Sequence, residues 1–279
     1  MKRHVETLFW GQPITEGAGV RLHRAFGFLE APMFDPFLLL DDFRSDNPED
    51  YTKGFPWHPH RGIETITYVL KGDVEHGDSL GNSGVISDGD VQWMTAGSGI
   101  IHQEMPQGDA SGAMHGFQLW TNLPASYKMM PPRYREFTAA RIPETRTSDG
   151  CRVKVIAGTA AGISGPVTDV VTAPLYIDCT VPRGASFRHQ SPQGHTALVY
   201  GIEGAGRIAG TEVPSRHLAH LSPGTDIEVE APDEPFRFLL FTGCPIGEPV
   251  AWKGPIVMNT QEELDLAFLE YRSGTFVKL

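Results

Sequence analysis

Short apolar and β-branched runs, separated by glycine-rich or acidic turns, recur along most of this chain. ITYVL at 66–70 is β-branched and aromatic and stops at Gly72. DVQWM at 90–94 lies between a Gly-Asp turn and Gly97-Ser98-Gly99. Both patterns predict strands. VRLHRAF at 20–26 alternates across another strand, and MHGFQLWTN at 114–122 predicts a further one. In FDPFLLLDDF, Phe37 to Leu40 are expected to be buried, while Asp41 and Asp42 face solvent or shape a turn. The Gly/Asn/Asp-rich DVEHGDSLGNSG at 73–84 reads as a connection, with His76 as a loop histidine.

Helical period is clear only near the C-terminus. Thr260 and Glu263 form a capping box, Leu264, Ala267, Phe268 and Tyr271 recur at helical spacing, and Gly274 supplies a stop. That apolar stripe is expected to dock on the protein's own sheet. The polar, turn-rich AARIPETRTSDG at 139–150 reads as a linker, dividing the chain into 1–138 and 139–279. A faint internal repeat spans this division: TYVLKGDVE with ISDGDVQWMTAG resembles ALVYGIEGAGRI with LSPGTDIEVEAP. The pattern predicts an all-β chain built from two copies of one small barrel, plus the C-terminal helix.

Composition supports this picture and narrows the function. The 279 residues suffice for two domains, and 31 Gly with 22 Pro suit many strands and turns. A net charge of −11 without any Lys/Arg run gives no electrostatic basis for direct nucleic-acid binding, whereas a protein partner stays open. Three cysteines, Cys151, Cys179 and Cys244, are too few and too scattered for a disulfide framework and fit a reducing compartment. The N-terminal residues lack the apolar stretch of a signal peptide, and no run of apolar residues is long enough to span a membrane. A cytoplasmic protein is the expectation.

The candidate chemistry lies between residues 54 and 104. His58-Pro59-His60 and His102-Gln103-Glu104 are two pairs of metal-capable side chains, each with two-residue spacing. On an extended strand, residues two apart share a face, so each pair can converge on one point. Three imidazoles and one carboxylate form a mixed N/O donor set suited to Fe, Mn, Ni, Co, Cu or Zn, with positions left open for chemistry. Either motif alone is commonly a surface feature; both together, on two predicted strands separated by a Gly-punctuated hairpin region, point to a metal site. His189 and His195 in the second half lie six apart and make no such pair. Glu64 has the parity of His58 and His60 and is expected to face the same interior.

The segments GFPWHPHRGIETITYVLKG and GDVQWMTAGSGIIHQEMP resemble the signature of the pirin family of the cupin superfamily. FDPFLLLDDF, GFQLWTNLP and GEPVAWKGPIVMNTQEELDLAFLEYRSGTF extend the resemblance over nearly the whole chain. It implies two stacked cupin barrels, a metal-bearing N-terminal one and a C-terminal one lacking ligands. It places the family's ligands on His58, His60, His102 and Glu104, with Fe(II) as the expected metal. Many cupins instead take a ligand at the position of Glu64, which here is expected to be either a group supporting the ligands or a partner for Arg61 or the barrel rim. The resemblance further implies either of two functions. One is oxidation of a flavonol or related aromatic with O₂, as in quercetin 2,3-dioxygenases; on that reading Glu104 is the expected general base, and Gln118 either hydrogen-bonds to Glu104 or substrate or is an edge amide of its strand. The other is regulation through protein partners. Trp57, Met94 and Trp120 are candidate pocket walls.

Overall fold

The computed structural model describes residues 1–278, and strands account for most of the chain's regular structure. The chain forms two compact units. One comprises residues 12–32, 37–139 and 246–279; the other comprises 1–11, 33–36 and 140–245. The change of unit at 139/140 lies beside the expected division, but both chain ends depart from a simple split at 138. The first eleven residues join the later unit, because Val5–Trp10 adds to its sheet beside His217–Leu221. Residues 246–279 return to the earlier unit.

The unit holding 12–32, 37–139 and 246–279 has two main sheets, besides a two-stranded ribbon of Ala251–Lys253 with Ile256–Met258. The larger runs Arg133–Phe137, Val91–Thr95, Ile63–Lys71, His115–Asn122, Phe37–Asp42, Val20–Phe26 and Gln12–Glu16. The smaller runs Phe55–His60, Ile100–Gln107, Asp73–Asp78 and Ser83–Ile86. All pairings are antiparallel, so alternate residues on each strand face inward. One inward row of the larger sheet joins Thr67, Gln118, Asp41 and Arg24, each directly opposite the next.

Three elements differ from expectation. Asp41 and Asp42 are buried within a strand on opposite faces. Burial is possible because Arg24 clamps Asp41 at 2.8 and 2.7 Å, and Arg44 engages Asp42. His76 lies in the strand Asp73–Asp78, its ring buried beside Ile100–Gln107. The Gly and Asp residues that suggested a loop are absorbed by pairing on both edges of that strand. Glu64 also departs from its predicted face. Gly62, at φ +78°, turns the chain between His60 and Ile63 and breaks the parity count. Glu64 therefore accepts from Thr95 Oγ1 at 2.6 Å and lies 4.0 Å from Arg135, on the face opposite Thr67.

The C-terminal helix Gln261–Ser273 has the predicted capping box at Thr260 and Glu263, and ends on Gly274 in left-handed geometry. Its inward residues Leu264 and Ala267 pack with Ile256, Met258 and Phe276. Within the same unit, the buried ammonium of Lys128 donates to Gly62 O, Asn122 Oδ1 and Val257 O at 2.8, 2.6 and 3.0 Å. Burial pulls its pKa down to about 7, opposed by the negative charges of Glu248 and Glu263.

The other unit has two main antiparallel sheets, of seven and four strands, and a two-stranded ribbon of Thr159–Ala160 with Ile163–Ser164. Its interior is filled by apolar side chains from both, including Val153, Ile177, Val199, Leu240, Phe187 and Val229. Two of the three cysteines, Cys151 and Cys179, belong to that core as small buried residues. Where one unit carries histidines inside, this one carries hydrocarbon.

Candidate metal centre

His58 and His60 come from the strand Phe55–His60, and His102 from Ile100–Gln107. The two strands pair antiparallel with His102 opposite His58, so local two-residue spacing and cross-strand register act together. The Nε2 atoms of His58 and His60 lie 3.1 Å apart, and those of His58 and His102 lie 2.9 Å apart. These three imidazoles form the group of potential metal ligands whose donor atoms all lie within 4.8 Å of one another.

The far side of two rings decides their tautomer. His58 Nδ1 donates to Pro56 O at 2.9 Å, and His60 Nδ1 donates to Pro255 O at 3.0 Å. A carbonyl oxygen only accepts, so each Nδ1 carries the hydrogen and each Nε2 presents a lone pair. Burial also holds His60 and His102 well below the usual histidine range, His58 adding to the effect as a neighbouring positive charge, and lowers His58 itself. Neutral His58 and His60 thus aim two acceptors at each other across 3.1 Å, an unfavourable contact without a cation between them. Two nitrogens about 2.1 Å from one metal at right angles would lie about 3.0 Å apart. The donor set and its spacing fit a divalent metal.

Glu104 lies inside the same unit but outside the 4.8 Å imidazole group. The pairing register slips between His102 and Glu104, which sits opposite Phe55. Thr67 Oγ1 lies 2.8 Å from Glu104 Oε1 and 2.7 Å from Gln118 Oε1, and Gln118 Nε2 donates to Glu104 Oε2 at 3.0 Å. Burial raises the Glu104 carboxyl to about 7, opposed by the hydrogen bonds from Thr67 and Gln118. A carboxylate tuned to neutrality beside an open cavity suits proton transfer.

The cavity has a volume of about 620 Å³, and His58, His60, Thr67, Glu104 and Gln118 open onto it. Its walls are largely apolar, with Leu22, Leu39, Phe43, Val74 and Trp120 among them. That suits an apolar ligand oriented by a few polar groups. Of the expected wall residues, Trp120 lines the cavity and its ring meets His60 at 5.0 Å. Met94 instead packs in the core with Ile63 and Ile100, and Trp57 is largely exposed.

Sequence reading missed several contributors. Trp252, Gly254 and Pro255 reach the cavity from the returning C-terminal segment, a contact no local pattern encodes. Thr67 was legible as an inward residue of ITYVL, but its partners depend on register. His76 stacks on Tyr134 at 4.8 Å, stands 5.5 Å from the His102 ring, and has Asp78 3.5 Å from its Nε2. Alternation of Val74, His76 and Asp78 was the available signal.

Two β-sandwich barrels of this kind, one carrying a histidine triad, define a bicupin. Residues 19–121 match the pirin family model, and 176–277 match the model of the pirin C-terminal cupin domain. A pirin-like protein of Caulobacter vibrioides is 46% identical over 98% of this chain and 99% of its own. A Pseudomonas aeruginosa protein provisionally named a quercetin 2,3-dioxygenase is 44% identical over 98% of this chain and 97% of its own. The crystal structure of a quercetin 2,3-dioxygenase from Acinetobacter baumannii is 33% identical, with a TM-score of 0.91 and 99% of both chains covered. The chain belongs to the pirin family. Among the described residues no helix is long and apolar enough to cross a membrane.

Proposed function

We propose that this protein is a metal-dependent dioxygenase that oxidises a flavonol or related hydroxylated aromatic with O₂. The observation that carries the reading is the pair of lone-pair-bearing Nε2 atoms of His58 and His60 held 3.1 Å apart at the edge of the cavity. His58, His60 and His102 would hold the metal, taken to be Fe(II), while Pro56 and Pro255 fix the orientation of two of the rings. The family-derived fourth-ligand role of Glu104 would require its carboxylate to exchange a contact with Thr67 or Gln118. A bound divalent metal would anchor the substrate's deprotonated hydroxyl and supply the redox chemistry with O₂.

The chain's own residues perform the remaining work. Glu104 accepts the hydroxyl proton as general base. Thr67 and Gln118 hold that carboxylate toward the cavity and allow it to exist in both protonation states. Trp120 and the aliphatic walls exclude water and receive the flat ring system. The names of the A. baumannii and P. aeruginosa proteins support the same reaction class.

The direct test is metal analysis of the purified protein followed by oxygen uptake with quercetin after full loading with Fe(II). Oxygen consumption matched to flavonol loss supports the proposal. Absence of turnover at full occupancy would overturn it and leave a metal-loaded regulatory protein as the reading.

A further inference from the structure

The cavity has a second polar pole. The inward row Thr67, Gln118, Asp41 and Arg24 crosses four neighbouring strands. At about 4.8 Å per strand step, Thr67 and Arg24 are roughly 14 Å apart along it. At the outer end, Arg24 is held by Asp41 through both carboxylate oxygens and by Glu16 Oε1 at 2.9 Å. Asp41, Arg24 and Glu16 all line the same cavity as Glu104, with Leu22, Leu39 and Phe43 also on its wall. Exposure rises outward, from 8% at the Asp41 side chain to 27% at Arg24 and 44% at Glu16.

This charge arrangement selects for a particular chemistry. One guanidinium faces two carboxylates, so the cluster carries net negative charge. Its guanidinium donors are largely engaged, whereas carboxylate lone pairs remain available. Such a cluster accepts hydrogen bonds and repels anions. Resting on the dioxygenase reading, we infer that Asp41, Arg24 and Glu16 form a distal specificity subsite. It takes a neutral phenolic hydroxyl at the end of the aromatic substrate opposite the histidines, and it discriminates against a carboxylate there. Asp41 and Glu16 accept from the hydroxyl, and Arg24 positions both carboxylates.

The competing role for this cluster is a purely structural clasp between the strands Gln12–Glu16, Val20–Phe26 and Phe37–Asp42. Ligand selectivity separates the two, because a clasp would alter binding of all ligands alike. The test uses full-length protein loaded with nickel(II), so that turnover does not obscure binding. The readout is quenching of Trp120 and Trp252 fluorescence, since both rings line the cavity. Three probes are compared: a flavonol with no other hydroxyl, its analogue with one phenolic hydroxyl on the far ring, and its analogue with a carboxylate there. The expected order is phenol about tenfold tighter than the unsubstituted flavonol, with the carboxylate weakest.

Glu16→Gln and Asp41→Asn should reduce the phenol preference to about twofold and relieve the penalty on the carboxylate, with little change for the unsubstituted flavonol. Glu16 is partly exposed, so its variant keeps the test alive if Asp41→Asn fails to fold. Equal binding of phenol and unsubstituted flavonol by the native protein would overturn the subsite and leave the dioxygenase reading standing. Equal losses for all three probes in the variants would assign the cluster to structure instead. Failure of every flavonol to bind the nickel-loaded protein would overturn both inferences.

Discussion

His60 Nδ1 donates to the carbonyl oxygen of Pro255, 3.0 Å away and 195 positions further along the chain. The C-terminal segment thus sets the tautomer of a proposed ligand in the unit to which it returns. The segment is fastened nearby: Val257 N donates to Arg61 O at 3.1 Å, and Lys128 bridges Gly62 O and Val257 O. Arg61 also pairs with Glu270 and donates to Phe276 O, both at 2.8 Å.

This fastening predicts an outcome for Gly62→Ala. A Cβ at Gly62 would lie 1.9 Å from Val257 O, and the residue sits at φ +78°. Clash and strain together should cost about 3 kcal/mol of stability. Displacement of Pro255 should also weaken metal binding by about 10-fold or more, because His60 loses its support. Thermal unfolding and metal titration check both, and unchanged metal affinity in a folded variant would separate the segment from the site.

The imidazoles predict metal retention. His58→Ala and His102→Ala should each abolish stoichiometric metal binding, since either change leaves two imidazoles of the group. Elemental analysis after dialysis gives the measurement. One full equivalent retained by either variant would contradict the ligand assignment.

Glu104→Gln separates base from ligand. Without an ionisable carboxyl, kcat should fall about 100-fold or more, while metal affinity changes less than about 10-fold. The amide keeps a carbonyl oxygen for Thr67. The opposite pattern, with metal lost and turnover preserved on reloading, would make Glu104 a structural ligand.

The same carboxyl predicts a pH signature in metal-free protein. Burial raises it from 4.5 to about 7, so the folded state holds a proton that the unfolded state has released between those values. Its contribution to stability is therefore greatest below pH 4.5 and is lost as pH rises through 7. Relative to Glu104→Gln, which does not titrate, the native protein should lose roughly 3 kcal/mol between pH 4.5 and 8. Urea unfolding of both proteins across that range gives the comparison, and a pH-independent difference would show that Glu104 is not perturbed.

Much of the centre was legible in the primary structure because two-residue periodicity is local. A pleated strand places His58 with His60, and His102 with Glu104, whatever the rest of the chain does. The Thr260–Glu263 cap and the Gly274 stop were legible for the same reason, as short-range backbone chemistry. What lies across a strand, or beyond a turn, depends on register and long-range closure. Register placed Thr67 and Gln118 on Glu104, and Arg24 on Asp41. The Gly62 turn sent Glu64 to the opposite face, and pairing on both sides drew His76 into a buried strand. Closure of the C-terminal segment brought Pro255 to His60. The residue types and spacing specify which groups can meet; packing over tens to hundreds of residues selects which of them do.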